Sequence, residues 1–381
     1  MPIRIGFAGG GSGGHLYPLL AVADALRKEM PHDLELLYFG PHHILAEDFE
    51  AREIRSYAIA SSKFRRYFDI ANIIDIPKFF WSIFQALVKL YITIPDAIFS
   101  KGGPGALAVV LVARWYRIPV VIHESDAVPG LTNRISASFA QKILVSFKNA
   151  EQFFSKGRVT MVGNPVREGL GSGYGDSKIL KEQMQFDSTK PLLLVLGGSQ
   201  GSQRMNSFIL DNLEELIKEI QILHQVGVAN YENAYILSQS AIKNIGETFA
   251  SHYRLTPYFA NDQMREALSA ADIVMSRAGS GAIFEIAASG KPAILIPLSD
   301  SAGDHQRANA YEYTESGAGI TIEETNFTLN LVLSQIRSIL KNEEMRQKMH
   351  QAALNFYRPT AAADIATEVI QVAKKVTKPA F

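Results

Sequence analysis

Short apolar runs recur along this chain, separated by stretches whose apolar residues repeat at helical spacing. Runs of strand length stand at residues 3–8, 34–39, 97–99, 119–122, 143–146, 159–162, 192–196, 220–226, 234–237, 273–276 and 292–298. Continuous apolar runs, rather than alternating ones, mark strands covered on both faces. Between them, residues 16–29 place Leu16, Leu19, Leu20, Ala23 and Leu26 on one helical face, and residues 263–271 and 281–289 repeat the pattern. Strands alternating with helices predict an α/β fold with parallel sheets. The alternation breaks between Glu168 and Asp176, where Gly169, Gly171, Gly173 and Gly175 make a flexible connection. It restarts at Pro191. The predicted architecture is two doubly wound, Rossmann-like domains, residues 1–164 and 191–358, joined by a hinge over 165–190. A last helix at about 360–376 is free to lie on either domain.

Two of these strands run directly into glycine-rich turns. Gly9-Gly10-Gly11-Ser12-Gly13-Gly14-His15 follows the first strand, and Gly197-Gly198-Ser199-Gln200-Gly201 follows residues 192–196. A turn without Cβ atoms lets the backbone approach a phosphate, and the helix behind it directs free N–H groups at the anion. One such turn per domain points to a nucleotide held in an interdomain cleft. Gly9, Gly11 and Gly14 satisfy GxGxxG, but the second strand ends Leu37-Tyr38-Phe39-Gly40, without the acid a dinucleotide ribose requires. That disfavours NAD. Gly197-x-Ser199-x-Gly201 also matches the nucleophile elbow of serine hydrolases, with Asp272 and His305 following in triad order. Gly10-x-Ser12-x-Gly14 matches it equally, so the pattern mostly reports abundant glycine. Ser199 fits better as a hydroxyl donor to a phosphate.

In the second domain a strand at 272–276 leads into Arg277-Ala278-Gly279-Ser280-Gly281 and a helix carrying Glu285. These residues gather at the carboxyl edge of a sheet, where open α/β folds bind ligands. Glu285 can accept two hydrogen bonds from a ribose diol, or simply place a charge favourably near a helix N-terminus. Gln306 and Asn309, three residues apart, share a face that either binds sugar hydroxyls or meets solvent. No Asp-x-Asp occurs, so the carboxylate pair that often holds a metal-bound diphosphate is missing. Positive charge falls to Arg167, Arg277 or the helix ends, and the expected diphosphate site is metal-free.

Composition narrows the class. A chain of 381 residues, 47% apolar, can fill two cores. Lys+Arg and Asp+Glu are both 38, which argues against a general nucleic-acid binder. The absence of cysteine excludes disulfides, thiolate metal sites and a cysteine nucleophile. No stretch reaches the roughly 18 uninterrupted apolar residues of a membrane span, and the chain opens directly into a strand without a signal sequence. A soluble protein is expected.

Together these motifs resemble the MurG family of peptidoglycan N-acetylglucosaminyltransferases, GT-B enzymes that convert lipid I to lipid II. The resemblance rests on residues 10–15 with Pro18, on His123-Glu124 followed by Ala127-Val128-Pro129-Gly130-Leu131-Thr132-Asn133, and on residues 162–167. It continues through residues 197–201, His224-Gln225 with Gly227, Ser276-Arg277-Ala278-Gly279, Glu285, and His305-Gln306 with Asn309. It implies transfer of N-acetylglucosamine from UDP-GlcNAc to the muramyl 4-hydroxyl of undecaprenyl-pyrophosphoryl-MurNAc-pentapeptide, with inversion. The donor would be held by Arg167 and Ser199 at the diphosphate and by backbone near Phe259 and Ala260 at the uracil, with Ser12, Gly13, Gly14, Gln200 and Gly201 also among the donor-binding residues. Glu285 would take the ribose, with Arg277, Gly279 and Ser280 beside it, and Gln306 with His305 and Asn309 the sugar. The lipid acceptor would lie on the first domain near Gly102, Gly103, His123 and Asn133, and the last helix would return to that domain. UDP-GlcNAc is then a substrate, no cofactor is tightly bound, and the motifs leave room for a divalent cation without requiring one.

Two stretches depart from the family pattern. The usual His-Glu-Gln-Asn is here His123-Glu124-Ser125-Asp126, and the usual aromatic-bearing loop is Lys101-Gly102-Gly103-Pro104-Gly105-Ala106. Both fall on the expected acceptor side, and they keep open a related enzyme glycosylating another lipid such as diacylglycerol. His15 is the first candidate base, because an imidazole titrates near neutral pH; binding the diphosphate or closing the loop are its other uses. Glu124 and Asp126 stand behind it. Residues 64–92 mix aromatics, Phe79, Phe80 and Trp81 among them, with Arg65, Arg66 and Lys78. Such a segment either rests on an anionic membrane, here the cytoplasmic face of the plasma membrane, or packs its rings on the core.

Overall fold

The computed structural model describes residues 2–10, 13–42, 45–61, 71–167, 169–171, 175–198 and 200–377. Among the sequence-predicted site residues, Ser12, Arg65, Arg66 and Ser199 lie outside the described residues. By internal contacts the chain divides into two units, residues 1–166 with 358–381, and residues 167–357.

The first unit runs β1 (Ile3–Gly9), α1 (Gly13–Glu29), β2 (Leu34–Gly40), α2 (Ala46–Ala51), β3 (Arg55–Ala58), α3 (Ala71–Thr93), β4 (Ala97–Gly102), α4 (Ala106–Trp115), β5 (Val120–Glu124), α5 (Leu131–Ser136), β6 (Lys142–Val145) and β7 (Val159–Met161). Its seven parallel strands lie in the order β3-β2-β1-β4-β5-β6-β7. The continuous apolar strands are buried on both faces, by α1 through Leu16, Leu19 and Leu26 and by α4 through Val109, Val110 and Ala113. Strand order reverses between β1 and β4, which opens a crevice at their carboxyl ends. The β1–β4 register shifts between Ala8 and Gly9, so Gly9 stands opposite Gly102.

The second unit runs α6 (Ser177–Gln183), β8 (Leu192–Leu196), α7 (Gln203–Asp211), α8 (Leu213–Glu219), β9 (Gln221–Gln225), α9 (Tyr231–Ile245), β10 (Tyr253–Thr256), α10 (Asn261–Ala270), β11 (Ile273–Ser276), α11 (Ser280–Ala288), β12 (Ala293–Leu295), α12 (His305–Glu315), β13 (Gly319–Thr321), α13 (Leu329–Lys341) and α14 (Glu343–Phe356). Six parallel strands take the order β10-β9-β8-β11-β12-β13, with the reversal between β8 and β11. The last helix, α15 (Ala361–Thr377), belongs to the first unit. Its Ile365, Ala366, Val369 and Ala373 join the cluster that α1 makes, and Thr367 donates to Glu29 at 2.8 Å.

Three local differences from the sequence expectation have physical causes. Residues 234–237 lie in helix α9, not in a strand: Ala234 and Ser238 are buried one turn apart while Tyr235, Ile236 and Leu237 are exposed. A four-residue apolar run cannot distinguish the two by itself. Part of the segment expected as hinge is ordered, because α6 packs on α10 and Lys181 pairs with Asp272 at 2.7 Å. Strands β3, β10 and β13 carry mostly half-buried residues and so lack an apolar run.

Candidate active site

Each unit places glycine turns at the reversal of its strand order. In the first, α1 starts at Gly13 with no acid in its first turn, so the positive end of its dipole stays uncompensated by its own side chains. A Cβ on Gly14 would meet nothing within 4 Å, which leaves room for a ligand. His15 follows in the same turn. Gly103, at φ 84°, lies so close that a Cβ there would come within 3.0 Å of His15 Nε2. Burial and the charge of Lys101 push the His15 pKa down to about 4, against the opposing pull of Asp126. The imidazole is therefore neutral at physiological pH.

Beneath this turn lies Lys101, buried near the end of β4, with Nζ 2.6 Å from His123 Nδ1 and 2.8 Å from Asn164 Oδ1. An ammonium only donates, so Nδ1 of His123 accepts and its Nε2–H donates to the Gly163 carbonyl at 2.9 Å. Burial and the Lys101 charge hold His123 well below the usual imidazole range. Lys101 itself is pushed down to about 7 by burial, while Glu124 and Asp126 pull it upward. Glu124 accepts from the Asp126 and Gly130 amides, at 3.0 and 3.1 Å, and from Asn133 Nδ2 at 2.9 Å. Burial and the Asp126 charge raise its pKa to about 7 against those three donors. Asn133 also donates to the His123 carbonyl at 3.1 Å. His123, Glu124 and Asn133 thus sit inside, where they shape the turn after β5 instead of facing an acceptor. Asp126 stays partly exposed. Lys101 carried only the weight of an unusual loop in the sequence; its signal was the position, a cation ending the strand at a switch point.

In the second unit the turn after β8 is held tightly. Gly201 has φ 77°, and a Cβ there would lie 2.1 Å from the Val226 carbonyl. Gln225 donates to the Gly198 carbonyl at 2.9 Å. Arg277, expected at the diphosphate, is engaged internally: it donates to Ser202 Oγ at 3.0 and 2.7 Å and to the Ile296 carbonyl at 3.2 Å, and pairs with Glu324 at 2.6 Å. It ties the end of β11 to the capping residue of α7, a role that no motif announces.

Arg167 and Glu285 do come together. Arg167 Nε lies 2.9 Å from Glu285 Oε1, and its Nη1 donates to the Phe259 carbonyl at 3.3 Å, which joins three residues predicted for the donor. Burial raises the Glu285 pKa and Arg167 opposes the rise. Glu285 shares a face of α11 with Gly281, four residues earlier, and Cβ atoms on Gly279 and Gly281 would meet nothing within 4 Å. Ser280 opens that helix. The Ala260 amide already donates to Gln263 Oε1 at 3.0 Å. Asn309 is wholly buried and donates to the Ala278 carbonyl at 3.1 Å, so it fixes the loop before α11 instead of sharing a sugar-binding face. Gln306 and His305 keep surface, with Gln306 Oε1 accepting from the Leu298 amide at 3.1 Å. Gln200 is exposed.

The hydrolase triad does not assemble. Asp272 precedes β11 and accepts from the Leu192 amide and Lys181 at the amino edge of the sheet. Gly197 and Gly198, at the other end of β8, are a five-residue strand away, roughly 15 Å.

Two doubly wound units, each with glycine turns at its switch point, make the GT-B architecture. Residues 5–145 match the glycosyltransferase family 28 N-terminal domain, and residues 192–368 match the family 28 C-terminal domain. The chain is similar to a UDP-N-acetylglucosamine–N-acetylmuramyl-(pentapeptide) pyrophosphoryl-undecaprenol N-acetylglucosamine transferase of Bacillus anthracis, 35% identical over 344 residues, covering 90% of this chain and 92% of that one. The transferase of the same name from Clostridium kluyveri is 34% identical over 382 residues, 98% and 99% of the two chains. The crystal structure of Acinetobacter baumannii MurG matches with a TM-score of 0.71 at 26% identity, over 97% of this chain and 100% of that one. This chain belongs to the MurG family of glycosyltransferase family 28, and it is a UDP-GlcNAc-dependent glycosyltransferase.

Proposed function

We propose that the chain converts lipid I to lipid II, moving N-acetylglucosamine from UDP-GlcNAc to the muramyl 4-hydroxyl of a lipid-linked MurNAc-pentapeptide. The observation that carries this reading is the Arg167–Glu285 pair beside the open helix start at Gly279–Gly281. Arg167 engages Oε1 of Glu285, and Oε2 takes no partner among the described residues, so that oxygen is the acceptor for a ribose hydroxyl. Gly281 on the same helical face admits the nucleoside to it.

In the reaction the acceptor oxygen attacks C1 of the sugar from the side opposite the leaving group. The bond from C1 to the diphosphate oxygen breaks, its electron pair departs with UDP, and the anomeric configuration inverts. Charge growing on UDP is met by Arg167 and by the backbone N–H groups of the glycine turns and helix starts. The hydroxyl proton passes to a base. His15 serves, because it is already neutral; Glu124 is occupied by its three donors. With His15 as the base, kcat/KM falls only as pH drops toward about 4. An acid limb at pH 6–7, or a His15→Ala enzyme with near-normal turnover at saturating acceptor, removes the assignment.

A lipid acceptor calls for contact with a membrane, and no helix among the described residues is long and apolar enough to cross one. Helix α3 supplies the contact. Ser82, Ala86 and Leu90 face the core at i, i+4 and i+8, while Phe80, Trp81, Phe84 and Val88 stand exposed on the other side, with Lys78 among them. Phe80 is 65% and Trp81 54% exposed, which a core-packing helix would not leave. The deciding experiment measures UDP released from UDP-GlcNAc with a short-chain lipid I analogue and weighs the lipid product. A gain of one N-acetylhexosamine is expected; intact donor binding with no lipid product would overturn the acceptor assignment.

A further inference from the structure

We infer that Glu324 is a positioning residue for the transferred sugar: through Ser299 it fixes the loop that orients the Gln306 amide. The inference rests on the donor reading, in which Gln306 meets the N-acetylglucosamine. Glu324 stands three residues past β13. The Ile322 amide donates to the Leu295 carbonyl at 2.9 Å, so the chain there runs beside the carboxyl end of β12. The Glu324 carboxylate is buried and divides its two oxygens. Oε1 pairs with Arg277 at 2.6 Å, while Oε2 accepts from the Ser299 hydroxyl at 2.6 Å and from the Ser299 amide at 3.3 Å. Arg277 is itself tied to Ser202 and to the Ile296 carbonyl, which anchors the carboxylate to the sheet.

From Ser299 the constraint reaches Gln306 in one residue. The Leu298 amide donates to Gln306 Oε1 at 3.1 Å. Only the oxygen of a carboxamide can accept from an N–H, so Gln306 Nε2 is left as the donor, and it makes no hydrogen bond among the described residues. Between Ser299 and Gln306 the backbone turns tightly. Gly303 and Asp304 hold φ at 71° and 59°, and the second is a conformation that a non-glycine residue keeps only where its surroundings hold it. The Asp304 amide donates to the Ser301 carbonyl at 2.8 Å, and Arg307 donates to the Asp304 carboxylate at 2.9 Å. Glu323 grips the far side of the same segment, accepting from Arg307 at 3.1 Å and from the Tyr311 hydroxyl at 2.6 Å. Two consecutive glutamates thus hold the loop before Gln306 and the helix after it.

Stability alone asks for less than this. The Arg277 charge is answered at Oε1, and Ser299 is an exposed residue whose tether buries no further apolar surface. What the Oε2 contacts fix is the place of Leu298 relative to Gln306, and with it the direction of the Gln306 donor. A hydrogen bond to a sugar hydroxyl weakens steeply as its donor moves off line, and a sugar held out of line at C1 reacts more slowly.

The test takes the full chain and its S299T, S299A, S299D, E324A and Q306A variants. Dissociation constants for UDP and for UDP-GlcNAc are measured by calorimetry. No lipid acceptor is present, so an error in the acceptor assignment leaves this measurement intact. S299D sets a second carboxylate against Glu324 and should weaken UDP-GlcNAc roughly tenfold while UDP binds as in the parent. S299A should weaken UDP-GlcNAc by about threefold, and S299T, which keeps the hydroxyl, should match the parent. E324A and Q306A should shift the ratio of the two constants as S299D does; for E324A the ratio separates lost positioning from the lost counter-charge of Arg277. Parent-like UDP-GlcNAc affinity in S299D or in Q306A overturns the inference. So does an equal loss of UDP and UDP-GlcNAc in S299D and E324A, which a purely structural contact would give.

Discussion

Each unit buries one cation at the end of the strand beside its switch point, and the two are held in opposite ways. Lys101 lies near the end of β4, next to β1; Arg277 follows β11, next to β8. Arg277 is matched on the spot by Glu324, by the Ser202 hydroxyl and by a carbonyl. Among the described residues the Lys101 ammonium hydrogen-bonds the neutral groups of His123 and Asn164, with Glu124 and Asp126 acting from farther off. The difference follows from chemistry. A guanidinium cannot release its proton in a protein, so its charge must be answered in place; an ammonium can, and burial brings its pKa down to about 7. The second unit therefore has a fixed structural cation where the first has one that titrates near neutral pH.

The largest expected effect breaks the fixed cation. Glu324→Ala leaves the Arg277 guanidinium buried without its counter-charge, and should lower stability by about 3–5 kcal/mol in urea unfolding. A paired Arg277→Met, Glu324→Leu variant should recover much of that loss, because it removes the charge as well as its partner. A single Glu324 variant as stable as the parent would mean that Ser202 and the Ile296 carbonyl suffice.

Lys101→Met tests the other side, and its sign is reversed. The folded pKa of Lys101 is about 7 against 10.5 for the free side chain. Between those values the unfolded chain binds the extra proton, so this group makes the parent gain stability as pH rises from about 7 toward 10.5. The variant lacks that gain. The stability difference, variant minus parent, should therefore fall by on the order of 3 kcal/mol across the window. Removing the Lys101 charge also raises the His15 pKa, so the acid limb of kcat/KM should move to higher pH. A pH-independent stability difference would show Lys101 to be as fixed as Arg277.

Much of this frame was legible in the sequence, because continuous apolar runs report burial directly: β1, β2, β8 and β11 stand within a residue or so of their runs. The glycine turns were legible for a similar reason, since Gly201 and Gly103 occupy backbone conformations that side chains resist. What the sequence could not carry is partnership. Arg277, Asn309 and His123 have residue types that suit ligands, and their spacing fits a site; only the fold shows Glu324, the Ala278 carbonyl and Lys101 already in contact with them. Burial of a polar residue depends on contacts distant in sequence, whereas burial of a leucine run does not.

The smallest expected effects separate the two glycines that follow these cations. Gly103 has φ 84°, and a methyl group there would stand 3.0 Å from His15 Nε2, so Gly103→Ala should lower stability by roughly 1–2 kcal/mol. It should also displace the imidazole and reduce kcat. Gly279 has an ordinary φ of −69° and open space where its Cβ would be. Gly279→Ala should therefore shift stability by no more than about 0.5 kcal/mol. The consequence belongs to the ligand, because the space beside the α11 start is where the nucleoside would approach Glu285. KM for UDP-GlcNAc should rise several-fold with the fold untouched. If Gly279→Ala instead lowers the melting temperature and leaves KM alone, the open helix start is a packing feature, and the donor must approach the second unit elsewhere.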